Sequence, residues 1–161
     1  MPQELSGRLR NAVEAELPHL NKLTDDRSAI QPNGSDSWSP KQELGHLIDS
    51  AANNHVRFVQ AAMAGATPVP FQSYAQNGWV NLHGYQEMPW SSIVGFWSQY
   101  NFLLADLIAN IPDTALGNTG FFGSEAPLTL RFLMEDYIIH MQHHLDHLLH
   151  RAQVTRYPQI A

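Results

Sequence analysis

Apolar residues recur at helical spacing in four long stretches of the chain, and segments rich in Pro, Gly, Asn and Ser divide them. The first runs from about Glu4 to Leu17, with Leu5, Leu9, Ala12, Val13 and Leu17 three or four residues apart, the repeat of a helix with one buried face. Pro18 should end it, since proline lacks the backbone donor a helix needs. Gln31-Pro32-Asn33-Gly34-Ser35-Asp36-Ser37 reads as a loop. A second helix opens at Ser39-Pro40-Lys41-Gln42, with a hydroxyl to cap the helix, proline at the first helical position and Gln at the third. It should run to about Ala64, beside Gly65. From Ala66 to Pro89 the pattern is irregular and carries Phe71, Tyr74, Trp79, His83 and Tyr85; connections of that length usually serve function, here as a lid or partner surface. The third helix should cover about Trp90 to Ile111, before Pro112, and the fourth about Leu128 to Ala152. The pattern predicts an all-α fold: a four-helix bundle with a long irregular connection between helices two and three, in a single domain spanning residues 1–161.

Composition narrows the function. With 43% hydrophobic and 10% aromatic residues the chain can bury a core. Its formal charge of −6, nine Lys and Arg in all and no basic run argue against a nucleic-acid or anionic-membrane partner. No stretch approaches the ~20 apolar residues of a spanning helix, and the N-terminus lacks a leader pattern, so a cytoplasmic location is expected. With no cysteine, thiolate metal sites, disulfides and a cysteine nucleophile all fall away. Any bound metal must use nitrogen and oxygen ligands. Of nine histidines, five (His140, His143, His144, His147 and His150) crowd the end of the last helix.

On that helix, at about 100° per residue, Leu130, Met134, Ile138, Met141, Leu145 and Leu148 form the apolar arc. His140 and His144 sit beside it, one turn apart, so their imidazoles stack on one face and can share an ion. His143 and His147 have the same spacing but point further from the core. The motif His140-Met141-Gln142-His143-His144 lacks the Glu after the first His that serves zinc metalloproteases as base, so proteolysis is not indicated. A third ligand would come from the second helix. Its apolar face (Leu44, Leu47, Ile48, Ala51, Phe58, Val59, Ala62) includes His55, whereas His46 lies opposite with Ser50, Asn53 and Arg57. Periodicity therefore favours His55 as the inward residue and does not select His46. Asp49 and Asp136, each one turn from a histidine, are candidates to orient a ligand imidazole or to act as base. Arg57 is a candidate to hold a substrate carboxylate. Tyr74, Trp79 and Tyr85 are candidates to line a pocket or to pack on the bundle.

The run Trp38-Ser39-Pro40-Lys41-Gln42-Glu43-Leu44-Gly45-His46-Leu47-Ile48-Asp49-Ser50, followed by Asn53 and Arg57-Phe58, resembles the DinB superfamily, particularly its YfiT-like branch. So does the segment from Asp136 to His147. The resemblance, which covers nearly the whole chain, implies a four-helix bundle with one divalent ion held by His46, His140 and His144. Zinc and nickel are the expected metals, although three imidazoles also accept iron, manganese or cobalt. It implies too that the polar face of the second helix borders a cleft, making Ser50 and Asn53 candidate cofactor-binding residues beside Arg57. Relatives of this kind include thiol S-transferases and isomerases that use low-molecular-weight thiols such as bacillithiol or mycothiol, and metal-dependent hydrolases. The reading for this chain is a three-histidine site that activates such a thiol for transfer to an electrophile. The alternatives are a hydrolase with a metal-bound water nucleophile and a non-catalytic metal-binding stress-response protein. A small-molecule substrate and, by family analogy, a homodimer complete the expectations.

Overall fold

The computed structural model describes residues 1–151. Four long helices form the bundle: α1 (Pro2–Asn21), α3 (Pro40–Met63), α5 (Trp90–Asn110) and α6 (Leu130–Leu148). They pack as a ring in which α1 meets α5 and α6, and α3 meets the same two. Two short helices, α2 (Asp25–Ser28) and α4 (Gln76–His83), and the strand β1 (Pro32–Ser35) lie in the connections. Among the described residues no helix is long and apolar enough to cross a membrane.

The start of α3 follows its sequence signature. Ser39 accepts from the Gln42 backbone while the Gln42 side chain accepts from the Ser39 N–H, closing two of the donors that a helix start leaves open. The end of α1 departs from expectation, since the helix passes through Pro18 to Asn21. Its last turn is held from outside: Leu20 is fully buried, and the Trp90 indole N–H donates to the Leu20 carbonyl at 2.9 Å. Helix α6 stops at Leu148, short of the expected end at Ala152, which lies outside the described residues.

The connection between α3 and α5 is more ordered than its composition suggested. It holds strand β2 (Val69–Phe71), helix α4 and a 3-10 turn over Tyr85–Glu87. The connection between α5 and α6 supplies β3 (Thr119–Phe122) and β4 (Leu128–Thr129). In the resulting sheet, of order β2-β3-β4, Val69 pairs in parallel with Gly120 while β3 and β4 run antiparallel. This sheet, absent from the predicted pattern, ties the two connections together and sets Phe122 against α3, its ring 4.8 Å from the Arg57 guanidinium.

Gly45 marks the closest approach of the α3–α5 connection to the bundle. A Cβ there would collide with the ring of Tyr85, which is buried and anchored through its hydroxyl to Asp49 at 2.7 Å. Gly45→Ala gains helix propensity worth about 1 kcal/mol but overpacks the contact at a cost of roughly 1–3 kcal/mol. The expected outcome is a lower urea midpoint; an unchanged or raised midpoint would show that the ring moves aside freely.

Candidate metal centre

Three imidazoles from two helices converge where α3 and α6 pack. His46 is fully buried in the second turn of α3, and His140 and His144 project from α6 one turn apart. Ring centroids lie 5.2 Å (His46–His140), 4.8 Å (His46–His144) and 4.6 Å (His140–His144) from one another. One nitrogen from each ring can be chosen so that all three fall within 4.8 Å. The Nε2 atoms of His46 and His140 are 3.4 Å apart, close to the spacing of about 3.3–3.4 Å for two nitrogens each bound about 2.0–2.1 Å from one tetrahedral ion. The donor set therefore fits a single divalent metal.

Electrostatics prepares two of these rings as neutral ligands. Burial, reinforced by His144, lowers the His46 pKa from 6.5 to about 3. His140 is lowered to about 2, by burial first and then by the neighbouring histidines. Both rings are therefore neutral imidazoles at neutral pH, and metal binding has no imidazolium charge to overcome at either. Trp38 packs against His46, their ring centroids 5.0 Å apart.

The orienting carboxylate is Glu43, a residue of the α3 motif to which the sequence assigns no role. It lies one turn before His46 on α3 and is almost wholly buried. Its Oε1 sits 2.9 Å from His144 Nδ1, and both oxygens lie 2.8 Å from His147 Nδ1. A carboxylate carries no hydrogen to give, so His144 Nδ1–H donates and leaves Nε2 with its lone pair for a metal. The carboxylate reaches across to α6, so spacing along α3 does not signal it. Glu43→Gln is expected to weaken metal affinity about tenfold to hundredfold, the usual effect of losing an orienting partner. Competition against a chelating dye measures it, and an unaltered affinity would remove Glu43 from the site.

Asp49, expected to orient a ligand or act as base, directs its carboxylate elsewhere. Its Oδ1 accepts from Tyr85 at 2.7 Å and lies 2.9 Å from His83 Nδ1. Asp136, Arg57 and Ser50 do meet His140: all four line a cavity of about 220 Å³ bounded also by Tyr74 and Phe122. Arg57 donates to the Gln72 carbonyl at 2.7 Å. Burial pushes the Tyr74 phenol up to about 12, so it stays protonated, and its hydroxyl engages Ser50. Asn53 lies outside this cavity, on a groove with Trp79 and Tyr100, and donates to the Asp49 carbonyl. His55, the inward residue by periodicity, lies away from the cluster with Nδ1 3.2 Å from the Tyr100 hydroxyl. His143 packs edge-on against His144, and His147 is a surface ligand of Glu43. Of the aromatic candidates Tyr74 lines the cavity beside His140, whereas Trp79 and Tyr85 line a second cavity.

Comparison with known proteins agrees with this architecture. The model of the DinB superfamily matches residues 8–148. The chain is 22% identical over 148 residues to a protein of Bacillus subtilis (strain 168) named "Putative metal-dependent hydrolase YfiT", a match covering 91% of this chain and 77% of that protein. The solved structure of YfiT from Bacillus subtilis, a four-helix bundle of unusual topology, superposes with a TM-score of 0.79 at 19% identity, over 92% of this chain and 84% of that one. A mycothiol-dependent maleylpyruvate isomerase superposes with a TM-score of 0.64 at 10% identity, over all of this chain and 65% of the isomerase. At such identities the likeness of the two structures is one of fold.

Proposed function

The chain belongs to the DinB superfamily, and on that premise we propose that it is a metal-dependent enzyme that transfers a low-molecular-weight thiol to an electrophile. His46, His140 and His144 would hold one divalent ion, zinc or nickel. The observation that carries the reading is the convergence of three imidazoles, two of them held neutral by burial, with His140 lining the adjacent cavity. When bound, the ion supplies positive charge that favours the deprotonated form of a thiol or water beside it.

The residues around it divide the remaining work. Asp136, one turn before His140 and on the same cavity, would accept the proton that the thiol releases. The sulfur then forms its bond to the electrophilic carbon while the bond to the leaving group breaks and the electron pair departs with that group. Arg57 would hold a carboxylate of either reactant through paired N–H donors. Ser50, with the protonated Tyr74 beside it, offers hydroxyl contacts to a polar cosubstrate. Tyr137 forms a wall and is no proton donor, because its hydroxyl is committed to Asn101 at 2.6 Å.

Asp136 also supports a second reading, hydrolysis, in which the same carboxylate takes a proton from water attacking an ester- or amide-like centre. The two are separated by assaying metal-loaded protein in parallel. One arm offers mycothiol, bacillithiol, glutathione and coenzyme A with a generic electrophile; the other offers chromogenic esters, amides and phosphoesters. Metal-dependent conjugation with one thiol is the expected result. Turnover in the hydrolytic arm alone would replace the transferase reading. Stoichiometric metal with both arms silent would leave a non-catalytic metal-binding protein.

A further inference from the structure

The aromatic residues of the α3–α5 connection that do not join the metal centre enclose a second cavity of about 610 Å³, lying between α3, α4 and the start of α5. The volume is within the range of about 300–1,000 Å³ typical of small-molecule sites. Its walls are apolar, from Trp79, Met88, Ile93, Phe96 and Tyr100. None of the described residues lining it is a lysine or arginine. Neither His46, His140 nor His144 lines it, so it is separate from the metal centre.

One carboxylate stands in that lining. Asp49 is 1% exposed, and its Oδ1 takes both available donors, the Tyr85 hydroxyl and His83 Nδ1–H. Both of these donors meet the same oxygen. Oδ2 is buried and has no hydrogen-bond partner among the described residues. A buried carboxylate oxygen without a partner is costly, and burial pushes the Asp49 carboxyl above the usual carboxylate range. A cationic donor would relieve that cost, and a ring of aromatic faces is the wall that a desolvated cation prefers. A carboxylate or phosphate ligand would instead meet like charge.

We infer that this cavity is a second binding site, for a small hydrophobic amine whose ammonium group pairs with Asp49 and whose apolar body lies among Trp79, Phe96 and Tyr100. The helix α4 presents Trp79 and His83 one turn apart, their rings 5.8 Å between centroids. It ends at Gly84, whose φ of 66° lets the chain reverse and insert Tyr85 beneath Asp49. The site is thus built by the same connection that Gly45 admits against α3.

Calorimetric titration at mildly alkaline pH tests the assignment with three matched probes: 2-phenylethylamine, 2-phenylethanol and 3-phenylpropionate. The amine is expected to bind at least tenfold more tightly than the alcohol, the lower end of what a charged hydrogen bond contributes, and the acid more weakly still. Asp49→Asn should bring the amine down to the level of the alcohol. Ala52→Phe, which narrows the cavity and keeps the carboxylate, should weaken amine and alcohol alike and covers the case in which the Asp49 variant folds poorly. Metal-stripped protein and the His140→Ala variant should bind the amine as the metal-loaded protein does, so this result does not depend on the metal centre. Equal binding of amine and alcohol, no heat with any probe at millimolar concentration, or an unaltered amine preference in Asp49→Asn would each overturn the proposal.

Discussion

Replacing His140 with alanine is expected to abolish stoichiometric metal binding while leaving the helical bundle intact. Loss of an orienting carboxylate costs about tenfold to hundredfold in affinity. Removing a ligand itself should exceed that, because two imidazoles remain and the vacated position opens towards the cavity that His140 lines. The fold should survive, since the core of α6 is carried by Leu130, Met134, Met141 and Leu145, all fully buried. His55→Ala is the internal control: it removes a histidine of the same helix as His46 whose ring meets Tyr100 and is not one of the three clustered imidazoles, and it should keep full metal content. Metal analysis after dialysis against a weak chelator, alongside circular dichroism, reads both. A folded His140→Ala protein that still carries one equivalent of metal would refute the three-histidine centre, and with it either enzymatic reading.

How far the sequence revealed this arrangement depends on what carried each signal. The long helices were legible because their apolar periodicity extends over many turns and because Ser39, Pro40 and Gln42 spell a helix start that the structure forms. The small sheet was not, because β2, β3 and β4 contribute two to four residues each, too few for an alternating pattern to stand out. Pro18 misled for a different reason: Leu20 and Trp90 stabilise the turn beyond it through tertiary contacts that no local rule contains.

The choice between His46 and His55 failed by periodicity on instructive grounds. A helical wheel assumes one buried and one wet face, yet the first three turns of α3 are buried almost all round, Glu43, His46, Asp49 and Ser50 included. In such a helix the polar side chains mark the interior site and the apolar arc marks only the core. Further along α3 burial thins out and His55 becomes part-exposed. Family resemblance assigns His46 where the wheel does not, and an acid such as Glu43 on a supposed wet face carries no signal until that face is known to be buried.

The same burial makes the metal-free protein sensitive to acid. In the unfolded chain His46 and His140 titrate near 6.5, whereas in the folded chain burial holds them at about 3 and about 2. Between those limits the unfolded state binds more protons, so stability rises with pH there. The contribution is complete above about 6.5 and is lost as pH falls towards 3. Each histidine contributes a slope of up to about 1.4 kcal/mol per pH unit once the unfolded ring is charged. From pH 7 to 5 the two together should cost roughly 4 kcal/mol, a large share of the ~5–15 kcal/mol of an ordinary domain. Asp49 works in the opposite sense, since a carboxyl held above its ordinary value of 3.8 takes up a proton in the folded state first, which offsets part of the loss at the acid end. Bound metal adds stability at neutral pH through its preference for the folded chain. Urea midpoints measured in chelator from pH 7 to 5 should fall steeply, and in His140→Ala the slope should be about half, because one depressed histidine is gone. A midpoint that stays level over that interval would mean that these imidazoles are not held neutral by burial, and the case for two preformed neutral ligands would go with it.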